Sequence, residues 1–370
     1  MTGILGMSAG VAAALGAAGL GLGTALSVYG VRKLIQIGQF SYHNSRLSTL
    51  GNPYVRRDEV LPLLEMDSPV TLAKSLNTDL ETGDNLSEFR EVDRALYSSL
   101  HERMEDLRRD SPSSLRPIVE AYLCRFEGEE LKRLMRLIGN RSEPLFPVGW
   151  LDSDVERTIL AAENIPSALE VLEGQPVSGR ISEVIKGENG PTLASIDDAI
   201  DRYVLDEIRE TRMMSFSSRR GLSTFFDMLC DRYNIHLAVR SLLKNEISEP
   251  EPPPMIYSSG GTLAPSVMEQ IFDAAGLREA ISILSSTHMG PHFKDLDTSD
   301  PYSFEVALDR MLLQGAVSLS YAFSSTVGPT IRYMVSKEME QKNLRTLFFA
   351  LIYGWDAEWT KARLVLEEGP

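Results

Sequence analysis

The sequence predicts an all-α protein, and three observations carry that prediction. Apolar residues recur with a period near 3.6 along most of the chain from Tyr42 onward. Alternating strand-type runs are scarce. Three segments spaced by about 100 residues end in the same amphipathic pattern, as expected of a repeated helical unit.

The elements follow in order. A weaker first pattern runs from Leu63 through Leu72 to Leu76, and Leu76 to Asn85 is a polar break. Phe89, Val92, Ala95, Leu96 and Leu100 then keep a helical period. Ile118, Tyr122, Leu123 and Phe126 continue it after the start signal Ser111-Pro112. Val155, Ile159, Leu160, Ile165, Leu169 and Leu172 form one further stripe, and Ile196, Ile200, Tyr203, Val204 and Ile208 another. Val306, Leu308, Leu312 and Val317 complete the set.

The repeat is visible in its endings. Glu130-Leu131 through Ile138, Asn234-Ile235 through Lys244, and Asn343-Leu344 through Ile352 have matching apolar positions at i, i+3 and i+4, so each buries one face. Placing Glu130, Asn234 and Asn343 together gives spacings of 104 and 109 residues. Gly149-Trp-Leu151 and Gly261-Thr-Leu263 are matching starts. The two asparagines read as satisfied polar groups rather than as a site. Gly139 to Pro147 and the proline-rich Ile247 to Met255 serve as linkers.

Composition narrows the function. The chain has 370 residues, 43% hydrophobic and 24% charged, which suits a globular protein of two or three domains. Two cysteines, Cys124 and Cys230, make neither a disulfide scaffold nor a four-thiolate zinc site and read as packing thiols. A net charge of −15 argues against nucleic acid as a partner.

That charge is unevenly placed. Residues 1–31 carry none. Arg32, Lys33, Arg46, Arg56 and Arg57 precede the first acid, Asp58. Residues 58–370 then hold the other 32 basic residues against 52 acidic ones, a net of −20. The uncharged head, Gly3 to Val31, is long enough to cross roughly 30 Å of hydrocarbon as a helix. Its small-xxx-small runs, Gly6 to Gly10 and Gly19 to Gly23, suit close helix packing in lipid. A membrane helix over residues 1–33 is the reading these features favour. The basic collar would then hold the body on the cytoplasmic side. A cleaved signal peptide, here without a basic n-region, and a Gly/Ala tail are the alternatives.

No set of residues assembles into a catalytic, cofactor or metal site. Gly19-x-Gly21-x-Gly23 lacks the third spacing, the preceding strand and the following acid of a dinucleotide fingerprint. His288-Met-Gly-Pro-His292 has four-residue spacing, but Gly290 and Pro291 read as a loop that keeps the two rings off one helix face. Glu127, Glu129, Glu130, Asp197 and Asp198 read as solvated helix ends and faces. No acid/base pair has a third group to orient it.

The three endings, with the Gly-x-Leu starts, resemble the C subunit of the archaeal and bacterial A/V-type rotary ATPases, a family that includes the d subunit of the eukaryotic V-ATPase. The most similar stretch runs from Lys337 through Asn343-Leu-Arg-Thr-Leu347 to Trp355-Asp-Ala-Glu-Trp359 and Val365. Ala121 to Phe126 and Asp231 to Ile235 match the first and second repeats, and the resemblance covers roughly residues 40–366.

The resemblance implies three similar helical domains, 40–140, 141–247 and 255–366, in a pseudo-threefold funnel. It implies a non-catalytic rotor subunit that seats the central axle (the D and F subunits) on the membrane ring of c/K subunits. No nucleotide and no small-molecule substrate are implied. The uncharged head departs from the family pattern. A rotor subunit tolerates a lipid anchor only on the rotation axis, so the head is expected to enter the lumen of the ring. A membrane-tethered adaptor of the same descent, outside the rotor, is the competing expectation. A membrane-tethered helical enzyme or processing factor is a further alternative, for which no candidate residues are found.

Overall fold

The computed structural model describes residues 30–31, 34–35, 38, 40–76, 89–140, 150–175, 177–179, 192–214, 219–245, 261–294, 296–297 and 300–367. Their regular structure is helical, with no strand among them. The predicted membrane span lies outside them except for Gly30 and Val31, both helical. Among the described residues no helix is long and apolar enough to cross a membrane.

Six long helices form the frame. Three have 22 residues: α4 (Phe89–Asp110), α8 (Leu193–Met214) and α13 (Pro301–Ala322). Three are longer, with 25, 27 and 26 residues: α5 (Arg116–Asn140), α9 (Arg219–Asn245) and α14 (Gly328–Tyr353). Each packs on the next in the order α4, α5, α8, α9, α13, α14, and α14 returns to α4. The circuit is therefore closed, and each 22-residue helix is wedged between two longer ones.

A central core fills the circuit, with Tyr122, Phe225, Phe226, Leu312 and Ile331 all under 2% exposed. Three outlying cores sit where the longer helices end. One joins α5 and α8 to α6 (Ser153–Leu160) and α7 (Ile165–Val171). The next joins α9 and α13 to α10 (Pro265–Phe272), α11 (Leu277–Ser285) and α12 (Gly290–Phe293). The last joins α4 and α14 to the turn Pro53–Val55, α2 (Arg57–Val60), α3 (Pro69–Ser75) and Leu364. So the short helices that precede α4 pack on the last long helix, where the circuit closes. Helix α1, residues 40–50, clasps the other end of α14: His43 Nε2 lies 3.2 Å from Thr330 Oγ1, and Asn44 Nδ2 donates to the Thr326 carbonyl at 3.0 Å.

Local chemistry sets the boundaries. The single stripe expected from Val155 to Leu172 divides into α6 and α7, because Asn164 caps Ser167 N at 3.0 Å and Pro166 stands in the first turn of a new helix. The linker expected from Gly139 begins later, since α5 continues to Asn140. Residues 141–147 and the proline-rich 247–255 lie outside the described residues. Pro291, expected in a loop, starts the four-residue α12 instead, where a missing N–H costs nothing.

Helix α14 stops at Gly354, whose φ of 68° is the left-handed region, and Trp355 N then donates to the Ala350 carbonyl at 2.9 Å. A Cβ on Gly354 would meet nothing within 4 Å, so only the backbone conformation opposes a side chain there. Gly354→Ala is expected to lower stability by about 1 kcal/mol, read as a shift in denaturant midpoint with an unchanged slope.

Candidate functional site

The polar residues that recur in the sequence are spent on joining helices, and they do so three times over. In the first junction Glu130 of α5 accepts Trp150 N at 2.7 Å and Leu151 N at 3.2 Å. In the second, Asp231 of α9 accepts Thr262 N at 2.7 Å and Leu263 N at 3.3 Å. In the third, Glu340 of α14 accepts from the Tyr54 backbone. Asn343 completes that junction: its Nδ2 donates to the Tyr54 and Val365 carbonyls, both at 2.8 Å, and its Oδ1 accepts Val365 N at 2.7 Å. In each case a buried side chain on a long helix satisfies backbone groups of a segment arriving from elsewhere.

The Gly-x-Leu starts gain a physical meaning here. A Cβ at Gly261 would lie 1.8 Å from Asp231 Oδ1, so the carboxylate reaches Thr262 N only because residue 261 has no side chain. His288, beside the same junction, has its Nε2 2.9 Å from Thr262 Oγ1. Among the described residues no group of three or more His, Cys, Asp and Glu is placed to hold a metal ion. Cys124 and Cys230 are both buried, and neither is in a disulfide among the described residues.

Glu130 therefore corresponds to Asp231 and Glu340, not to Asn234 and Asn343. The expected alignment was three residues out in the first copy. A shift of three is nearly one helical turn and leaves the apolar stripe almost unchanged, which is why periodicity did not reveal it. Glu130, expected in solvent, is 3% exposed.

A second repeated feature lies between each long helix and the 22-residue helix after it in the circuit. Lys132 and Arg136 of α5 face Asp201 and Asp197 of α8, at 2.5 and 2.6 Å. Arg232 and His236 of α9 face Asp309 and Glu305 of α13, each at 2.8 Å. Arg345 of α14 meets Asp93 of α4 at 2.6 Å, while Gln341 and Tyr97 stand at the other two positions. Residues four apart on antiparallel helices thus pair in a ladder. Asp197 is 5% exposed rather than solvated, and Arg240 approaches it at 3.8 Å from α9. The signal was present in the sequence, as acids at 93, 197 and 305 and basic residues at 136, 236 and 345, but its rungs join residues more than 60 apart.

At the centre one network joins all three long helices. Arg125 of α5 meets Glu338 of α14 at 3.2 Å, and Tyr122 donates its hydroxyl to the same carboxylate. Lys342 lies 3.2 Å from Glu338 and 2.7 Å from Asp309, which Arg232 of α9 also meets. Burial alone would raise the Glu338 carboxyl, but Arg125, Lys342 and Arg232 outweigh it and hold it well below the usual range.

These features define an all-α scaffold in which one helix-joining scheme is used three times. The chain belongs to the ATP synthase (C/AC39) subunit family, whose model matches residues 44–363. It is 22% identical over 356 residues to the C subunit of the A-type ATP synthase of Methanocaldococcus jannaschii, covering 91% of this chain and 89% of that one. It is 21% identical to the corresponding C subunit of Methanosphaera stadtmanae, over 88% and 87% of the two chains. It is 24% identical to that of Haloferax volcanii, over 77% and 84%.

Glu156 of α6 marks a weak point in the first junction. It is 6% exposed, and its Oε1 has no hydrogen-bond partner among the described residues. Burial, then the neighbouring Glu130 charge, push its carboxyl up to about 7, against an opposing pull from Arg133. With the folded value above the unfolded one, protonation favours the fold. That stability is complete below about pH 4.3, the unfolded value. It is lost as pH rises through about 7. Glu156→Gln is uncharged at every pH. It is expected to exceed the parent in stability by about 1–3 kcal/mol at pH 8 and to match it near pH 4.5, in paired denaturant titrations.

Proposed function

We propose that the chain is a non-catalytic central-stalk subunit of an A/V-type rotary ATP synthase, which seats the D and F axle subunits on the membrane ring of c/K subunits. Its domains on this reading are 40–140, 141–247 and 255–366, arranged as a pseudo-threefold funnel. The observation that carries the reading is the closed circuit of six long helices joined three times by one scheme, in a chain of this family. Such a frame suits the transmission of torque, because its repeats share one charged centre and cannot shear independently. Its recurring polar groups are engaged between helices, which supports a mechanical rather than a chemical role.

The head, residues 1–33, enters the lumen of the ring on this reading and turns with it, leaving the body on the cytoplasmic side. Its Gly- and Ala-rich faces fit closely packed membrane helices. A membrane-tethered adaptor outside the rotor is the alternative, and the same uncharged head is the feature that favours it.

Purification of the full chain from its membranes separates the two. Stoichiometric recovery of axle and ring subunits with ATP hydrolysis is expected, and no hydrolysis by the isolated chain. Recovery without any ATPase component would favour the adaptor. Deletion of residues 1–31 is expected to weaken retention on the ring while leaving axle binding intact.

A further inference from the structure

An open groove of about 1230 Å³ lies between α13, the α2 turn and the returning C-terminal stretch of chain. Ordinary small-molecule pockets are about 300–1,000 Å³ and mostly enclosed, so a groove of this size and shape fits a length of polypeptide better. Its accessible floor is apolar, made by Leu61, Pro62 and Leu366, with the buried Val317 and Leu364 behind them. Tyr321 stands at one side, 66% exposed.

The groove inverts the charge of the protein. Arg56, Arg57, Arg310, Arg332 and Lys361 line it against Asp58 and Glu367. Residues 58–370 as a whole carry a net of −20. Two of the arginines are fixed as walls. Arg310 donates to the Ala362 and Leu364 carbonyls at 2.9 and 2.8 Å, and Arg332 holds Glu367 in a two-pronged pair. Arg57 is exposed and has no ion-pair partner among the described residues. Lys361 is exposed and among the described residues pairs with Glu358, one turn back at 3.3 Å.

We infer that this groove is a docking site for an acidic amphipathic segment of a partner polypeptide. Its apolar face would lie on Leu61, Pro62 and Leu366, and its carboxylates would reach Arg57 and Lys361. A cationic rim around an apolar floor selects that combination: an uncharged apolar segment leaves the rim cations without partners, and a bare anion leaves the floor wet. The inference stands apart from the rotor reading, since it names the partner by chemistry alone.

The test uses the full chain in its native membranes with a photoreactive benzoylphenylalanine at Tyr321, and mass spectrometry to identify the cross-linked segment. A polypeptide segment with Asp or Glu at helical spacing beside apolar residues is expected. The yield is expected to fall about tenfold in Arg57→Glu/Lys361→Glu and to fall with rising salt. Arg57→Gln/Lys361→Gln is expected to lie between, which guards against a folding defect in the reversed variant. Cross-links to lipid, to a second copy, to residues 77–88 of the same chain or to a segment without acids would overturn the inference. So would a yield that charge reversal leaves unchanged.

Discussion

The structure depends on keeping charge buried at the meeting point of its three long helices. Arg125, Arg232 and Lys342 face Glu338 and Asp309, and each residue comes from a helix that would otherwise be free to slide past its neighbours. Buried pairs seldom add net stability over an apolar core, but removal of one partner strands the other at a cost of about 3–5 kcal/mol. That asymmetry makes the network a device for register. The helices have one arrangement in which every charge is matched, and a slip of one turn would leave several unmatched at once. The ladder of ion pairs outside the centre repeats the same logic at each contact between a long helix and its neighbour.

The closing of the circuit follows from this register. Once α14 is fixed beside α5 and α9, its far half offers Glu340 and Asn343 to the chain that precedes α2 and to the chain that follows α15 (Ala357–Ala362). Glu367 N donates to the Val55 carbonyl at 2.8 Å, so the stretch before α2 and the stretch after α15 also meet directly. The three outlying cores are thereby joined through one shared centre.

Much of the fold was legible in the sequence because it rests on local periodicity. The stripes at Phe89 to Leu100, Ile118 to Phe126 and Ile196 to Ile208 are helices as expected, and Cys124 and Cys230 are buried. The Gly-x-Leu starts also pointed to a shared unit. Their partners did not show, because Glu130 reaches 20 residues ahead and Asp231 reaches 31. Asp197 and Glu130 looked solvated because acids on amphipathic helices usually are; Asp197 meets cations of other helices, and Glu130 meets backbone N–H groups 20 residues ahead. The packing of the N-terminal short helices on α14 was hidden for a related reason. Apolar pattern tells which face of a helix is buried, but not which distant helix covers it.

Hydrogen exchange on the full chain tests the central claim most directly. If the Glu338 network binds the three repeats into one unit, amides in the middles of α5, α9 and α14 exchange through the same global opening. Glu338→Gln then lowers protection in all three by the same amount. A loss of protection confined to α14, with α5 and α9 unchanged, would show that the repeats are held separately and would contradict the account.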